Sequence, residues 1–238
     1  MTEALFQTDS YLKEFTATVI ASESIAKTVV LNRTVFYASG GGQPHDTGCL
    51  EANDRVWSVL NVKRRGDQIV HSLDREPPVV GSQITGTLDW QRRYQLMRTH
   101  TALHILCGVV WRDYGALVTG GNMEPLSGRM DFEFETLQQH LIQAIETKIN
   151  NEVQSKREIR VKILPRAEAF QIPDLIRTKI NLLPAGITQV RTIEIVGLDL
   201  QADGGTHVAN TREVGKVRIV NYHSKGKSNK RIYLELDA

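Results

Sequence analysis

Histidines are the residues of this chain whose type and spacing could do chemistry. His100 and His104 stand four apart inside WQRRYQLMRTHTALHILCGVVWRDYG, a run with apolar residues at helical spacing. On a helix that spacing puts both imidazoles on one face, one turn apart. Two such nitrogens can bind one metal ion, although a pair of polar side chains on a half-exposed helix reads the same way. A third histidine, His207, lies in the turn-rich stretch QADGGTHVANT, residues 201–211. Gly204 and Gly205 point to a tight turn that exposes the side chains after it. A lone loop histidine is usually a surface residue. Taken with the helical pair, it completes three neutral nitrogen ligands, a set that suits zinc with a fourth position left over. Asp203, four residues before His207, is the candidate for that position.

A third element is RTVFYASGGGQPHDTG, residues 33–48. Gly40, Gly41 and Gly42 let a backbone approach a ligand closely and offer N–H donors. The segment matches neither a phosphate loop nor a dinucleotide fingerprint. On composition alone, a turn between strands is the better reading.

The elements that must position these residues change in texture along the chain. FTATVIAS, KTVVLNRT, VWSVLNVKR, QIVHSL and SQITGTLDW are β-rich segments separated by turns, which predicts a small antiparallel barrel or sandwich over roughly residues 1–88. From residue 89 the pattern is mixed. A long helix is expected from Asp89 as cap to Gly115 as stop, then strands around ALVTGG and RMDFEFE. A second helix follows over TLQQHLIQAIETKINNEVQSK, with Thr136 as its cap. EIRVKILP reads as a strand, RAEAFQ as a short helical piece, and residues 172–186 stay open. QVRTIEIV, GKVRIVNYHS and KRIYLELD close the chain as strands. The expected class is α+β: an N-terminal antiparallel barrel, 1–88, then an α+β domain, 89–238, with helices packed on an antiparallel sheet.

The bulk numbers set limits on partners. The chain has 238 residues, with 29 Lys+Arg against 27 Asp+Glu. Such a balance gives no general basic footprint, so any nucleic-acid contact must come from local clusters. Two cysteines, Cys49 and Cys107, are too few for a disulfide scaffold. The N-terminus does not read as a signal peptide, and the longest apolar stretch, ALHILCGVVW, is too short to span a bilayer. The expectation is a cytoplasmic protein with no membrane and no disulfide partner.

Taken in order, Arg-Thr-Val-Phe-Tyr-Ala-Ser-Gly-Gly-Gly-Gln at 33–43, His-Thr-Ala-Leu-His at 100–104 and Gly-Gly-Thr-His-Val at 204–208 resemble the editing region of alanyl-tRNA synthetase. In size the chain resembles the free-standing relatives of that region, the alanyl-tRNA editing proteins called AlaX, in their medium form. The resemblance covers nearly the whole chain. It implies a zinc-dependent aminoacyl-tRNA hydrolase acting on the acceptor end of mischarged tRNA for alanine, chiefly the seryl and in some members the glycyl form. The family's metal pattern is His-x-x-x-His plus Cys-x-x-x-His. Carried over, it falls on His100, His104, residue 203 and His207, and this chain has Asp203 where the pattern has Cys. Either Asp203 binds the metal directly, or zinc keeps three histidines and a water. In the same comparison Thr34 is expected to sense the seryl hydroxyl, and Gln43 to sit near the substrate end in the Gly-rich loop.

The implied chemistry fits a site of this kind. Ester hydrolysis needs a water, an orienting metal or donor, and stabilisation of the oxyanion. A synthetase pocket for alanine rejects an added hydroxyl or a smaller side chain poorly. A second site that hydrogen-bonds the seryl hydroxyl does better, because alanine would leave a buried polar group unpaired at a cost of about 1–3 kcal/mol. Positive charge near the acceptor stem is the other requirement. The candidates are Gly40, Gly41 and Gly42 through their backbone, Arg92, Arg93 and Arg98 beside the histidine pair, and Lys225, Lys227, Lys230 and Arg231 in KGKSNKR, which reads as a mobile basic loop. Two other readings compete: a non-catalytic tRNA-binding module that has lost its metal through Asp203, and a zinc hydrolase of small esters.

Overall fold

The structure, a computed structural model, describes residues 1–134, 138–179, 183 and 186–238. The chain divides into two compact units, Met1–Tyr94 and Gln95–Ala238. Its class is α+β.

Unit one is a closed six-stranded antiparallel barrel. Its strands are β1 (Glu14–Glu23), β2 (Thr28–Leu31), β3 (Gly48–Ala52), β4 (Arg55–Arg65), β5 (Gln68–Leu73) and β6 (Gln83–Leu88), in the order β1-β2-β5-β4-β3-β6. Alternation drives this closure. In β1, Phe15, Ala17 and Val19 are buried while Glu14 and Thr16 face out. Trp57, Val59 and Val62 of β4, Leu50 of β3 and Ile69 of β5 fill the same interior. Register shifts at Val19/Ala21 and Val59/Asn61 supply the bends that a small barrel needs. Closure also removes free edges from this sheet.

Unit one also buries two polar arrangements. Arg93 is fully buried, and its guanidinium pairs with the equally buried Asp46 carboxylate. Its remaining N–H groups donate to Ser10 O at 3.0 Å and Val35 O at 2.6 Å. The Tyr37 N–H donates to Asp46 Oδ2 at 2.6 Å. This takes Arg93 out of the basic residues available to RNA. The second arrangement is Thr34 with His71, both fully buried. Thr34 Oγ1 lies 2.9 Å from His71 Nε2 and accepts the Phe36 N–H at 3.1 Å.

Unit two contains two sheets. Strands β7 (Val118–Glu124), β8 (Ser127–Glu133), β12 (Val217–Ser224) and β13 (Asn229–Leu236) form an antiparallel sheet in the order β12-β13-β8-β7. Strands β9 (Ile159–Pro165), β10 (Gln189–Ile195) and β11 (Asp199–Ala202) form the other, in chain order. The long helix α1 (Trp90–Tyr114) is capped as the sequence predicts: the Arg92 N–H donates to Asp89 Oδ1 at 3.1 Å. It ends at Gly115, with φ 63°. Helix α2 (Gln139–Gln154) buries Ile142, Ile145, Ile149 and Val153. The expected cap, Thr136, lies outside the described residues. Asn150 grips both backbone groups of Val217, and Glu146 accepts the Ile219 N–H, so α2 satisfies part of the free edge of β12. A single turn, α3 (Arg166–Ala169), stands where the short helical piece is expected.

Two stability predictions follow from the barrel. Asp46→Ala leaves a buried guanidinium unpaired and should cost about 3–5 kcal/mol in denaturant unfolding; a loss under about 1 kcal/mol would contradict the arrangement. Burial pushes the His71 imidazole down from 6.5 to about 4. The unfolded chain therefore binds the extra proton first as pH falls. The His71 contribution is complete above pH 6.5 and is lost as pH drops toward about 4, on the order of 3 kcal/mol. Unfolding free energies at pH 7 and pH 4.5 should diverge less in His71→Gln than in the wild type.

Candidate metal centre

The centre starts from helix α1, which is buried on all sides from Thr99 to Val110. Its apolar members Ala102, Leu103, Ile105, Leu106, Val109 and Val110 explain why that stretch is inside. The polar residues among them each find a local answer. Thr99 Oγ1 donates to Gln95 O at 2.9 Å, and Thr101 Oγ1 accepts the Val208 N–H at 3.3 Å. His100 and His104 are carried in with them, each only 6% exposed.

The second half of the centre is the loop after β11. Asp203 Oδ2 accepts the Gly205 N–H at 2.7 Å, which folds residues 203–205 into an Asx-type turn. The Asp203 N–H donates to Arg191 O at 3.1 Å, and Arg191 Nη1 donates back to Asp203 O at 3.0 Å, tying the turn to β10. The sequence pointed to exposed side chains after Gly205. The structure buries Thr206 and His207 instead, because the turn folds toward α1. His207 stacks on His100 with ring centroids 4.2 Å apart and meets His104 edge-on at 4.6 Å.

The result is a group of four donors, His100, His104, Asp203 and His207, whose ligand atoms all lie within 4.8 Å of one another. His207 Nε2 is 3.1 Å from Asp203 Oδ2, and His100 Nε2 is 3.5 Å from Asp203 Oδ1. Behind the cluster, His207 Nδ1 lies 3.2 Å from Thr101 Oγ1, and His104 Nδ1 lies 3.3 Å from Asp199 Oδ2.

The electrostatics suit cation binding. Burial pushes His100 down to about 4 against the pull of Asp203, and burial with the neighbouring His100 puts His207 well below the usual histidine range. Burial opposes ionisation of Asp203, but His100, His207 and His104 outweigh it and hold the carboxyl well below its usual range. Burial also works against a charge on His104, where Asp199 and Asp203 prevail and raise the value. Metal ligands must be deprotonated imidazoles and carboxylates. Three nitrogens and one carboxylate, buried and converging, fit zinc by donor type and number.

The remaining sequence candidates are placed as follows. Gly40 and Gln43 exchange backbone hydrogen bonds of 3.1 and 2.9 Å across a tight turn, with Gly41 and Gly42 at φ 58° and 86°. Gly41 and Gly42 are thus required by the turn, and Gln43 is buried. Arg92 is occupied by His45 O, and Arg98 by Val214 O and Asp237 O. In KGKSNKR, Arg231 and Lys225 both bind Asp131, while Lys230 Nζ donates to Gly226 O and Lys227 O. These bonds tie the loop down, where its composition suggested mobility. Lys227 remains exposed. Sequence reasoning missed Asp199 and Thr101, since nothing in their spacing marks them as partners of the histidines. Both cysteines, Cys49 and Cys107, are free. Among the described residues no helix is long and apolar enough to cross a membrane.

Comparison with known proteins places this geometry in a family. Residues 4–92 match the family model described as tRNA synthetases class II (A), and residues 190–233 match the threonyl and alanyl tRNA synthetase second additional domain. The chain is 40% identical over 237 residues to the alanyl-tRNA editing protein AlaX-M of Saccharolobus solfataricus, covering 98% of both chains. It is 38% identical to the AlaX-M of Methanosarcina barkeri, covering 99% of both. An alanine-tRNA ligase of Ignicoccus hospitalis is 38% identical over 226 residues, which are 92% of this chain and 24% of the ligase. With full-length matches at this identity, the chain belongs to the AlaX-M family of alanyl-tRNA editing proteins.

Proposed function

We propose that this protein is a trans-editing hydrolase that deacylates mischarged tRNA for alanine, chiefly the seryl form, with the glycyl form as a second substrate. The observation that carries the reading is the intact group of His100, His104, Asp203 and His207 in a chain matched end to end by alanyl-tRNA editing proteins. A complete donor set argues against the module that has lost its metal. Matches to editing proteins along the whole chain argue for tRNA over a small ester. The partner is the acceptor end of the tRNA, and the working compartment is the cytoplasm.

In this proposal His100, His104, Asp203 and His207 hold zinc. When bound, zinc supplies a Lewis acid for the ester and lowers the pKa of a water. The protein's own residues do the rest. The imidazoles of His100 and His207, which burial keeps neutral, accept the cation without first losing a proton, and the buried surroundings strengthen every charge interaction at the site. Residues 1–88 supply recognition. Thr34 reads the seryl hydroxyl through Oγ1, whose orientation is restrained by His71 and by the Phe36 N–H. Gln43 and the N–H groups of Gly40, Gly41 and Gly42 serve the substrate end. Residues 89–238 supply the metal and the basic contacts, for which Lys227 is the exposed member and Arg98, Lys225, Lys230 and Arg231 are partly committed to internal bonds.

Deacylation of Ser-, Gly- and Ala-charged tRNA for alanine, with and without chelator, tests this directly. Rapid loss of the seryl ester, little loss of the alanyl ester and abolition by chelator are expected; no deacylation with zinc present would sink the enzyme reading. In the same assay Thr34→Val should shrink the seryl-over-alanyl preference by about tenfold or more, the equivalent of one buried hydrogen bond. Asp203→Cys should tighten zinc binding, because a thiolate is the softer ligand. Unchanged affinity would place Asp203 off the metal.

A further inference from the structure

His104 differs from its partners in what stands behind it. Its Nδ1 is buried and makes no well-aligned hydrogen bond, and Asp199 Oδ2 lies 3.3 Å from it. Asp199 belongs to β11, not to the Asx turn, and its side chain is fully buried. Oδ2 also accepts an N–H from Gln201 Nε2 at 2.6 Å. Oδ1 lies 3.5 Å from Arg177 Nε, and Arg177 in turn lies over the Trp111 ring at 4.8 Å from its centroid. A carboxylate in the protein interior is thus given a countercharge on one oxygen and a donor on the other, and it is directed at one ring nitrogen of a candidate metal ligand.

The helix is shaped to let this carboxylate in. Gly108 is one turn beyond His104, and a Cβ there would come within 2.9 Å of Leu198 Cγ and 3.0 Å of Asp199 Cβ. Only a bare Cα allows β11 to approach α1 this closely. Glycine is unfavourable inside a helix, so its presence mid-helix calls for a packing reason, and Leu198 and Asp199 supply one.

We propose that Asp199 is a positioning residue for the metal centre: it holds the Nδ1–H of His104 and leaves Nε2 as the ligating nitrogen. The inference rests on the zinc reading above. A histidine whose second ring nitrogen donates to a carboxylate is fixed in tautomer and orientation and is a more basic ligand, and loss of such a partner weakens metal binding by about 10–100-fold. Gln201 at Oδ2 and Arg177 at Oδ1 hold the carboxylate's direction. Of the four donors, it is His104 that Asp199 faces at 3.3 Å.

The test is zinc affinity by competition with a chromophoric chelator. Asp199→Asn keeps the size of the side chain and should weaken zinc by about 10–100-fold. Equal affinity in the wild type and the variant overturns the proposal. A wild type that binds no zinc removes the zinc reading itself and this inference with it, so the two failures are distinct. A second measurement needs no variant. In zinc-loaded wild type with ¹⁵N-labelled histidine, the His104 ring should show a protonated Nδ1 and a ligated Nε2. A ligated Nδ1 overturns the proposal even if Asp199→Asn fails to fold.

Discussion

Desolvation of imidazoles is the constraint around which the second unit is organised. Three histidine rings and a carboxylate are drawn out of water into one small volume. Buried polar groups are tolerated only when they are partnered, and buried charges only when they are compensated. The surrounding residues set polar groups against these atoms, although His104 Nδ1 makes no well-aligned hydrogen bond. Thr101 stands at Nδ1 of His207, Asp199 at Nδ1 of His104, and Asp203 spans the gap between His100 and His207. The two rings that burial leaves neutral, His100 and His207, are the two that lie closest to Asp203 Oδ1 and Oδ2. Helix α1 has to be buried on every side to supply two of these rings, so its apolar neighbours are as much a part of the centre as its ligands.

The barrel obeys the same rule with different groups. Arg93 and Asp46 are a fully desolvated ion pair, tolerable because Ser10, Val35 and Tyr37 complete their hydrogen bonding. Thr34 and His71 are the neutral counterpart: a hydroxyl whose direction is fixed by a ring that burial keeps uncharged. A hydroxyl held by two partners inside an apolar interior has few orientations left.

Much of this architecture was legible in the sequence, and the misses share a cause. β-branched residues in near alternation, with turns between the segments, exposed β1, β2, β4, β5 and β6, and the caps Asp89 and Gly115 bounded α1. Strand β3 was not singled out, since Leu50 is its one fully buried residue and Glu51 and Gly48 blur the pattern. Strand β11 escaped because four residues with two polar side chains carry no periodicity, yet it delivers Asp199. The histidine pair was visible because helical spacing fixes a face. The inward turn of His207 was not, because it depends on a side-chain-to-backbone bond from Asp203 to Gly205. Charge was the least informative signal. Arg93, Arg98 and Arg231 look alike on paper with Lys227, while in the structure the arginines are engaged by Asp46, Val214 and Asp131.

Asp203 is where local structure and ligand chemistry meet. The sequence resemblance implies a cysteine at this position, and a thiolate is a softer ligand for zinc than a carboxylate. A carboxylate offers something a thiolate does not: two acceptor oxygens with separate duties. Oδ2 takes the Gly205 N–H that shapes the turn and faces His207 Nε2, while Oδ1 faces His100 Nε2. The loop is therefore set by the same residue that completes the donor group, through bonds within the protein alone. Restricting a loop to its binding conformation lowers the entropy lost when a ligand arrives. In the proposed zinc site an aspartate here would give up ligand softness and gain preorganisation, two effects that act on affinity in opposite directions.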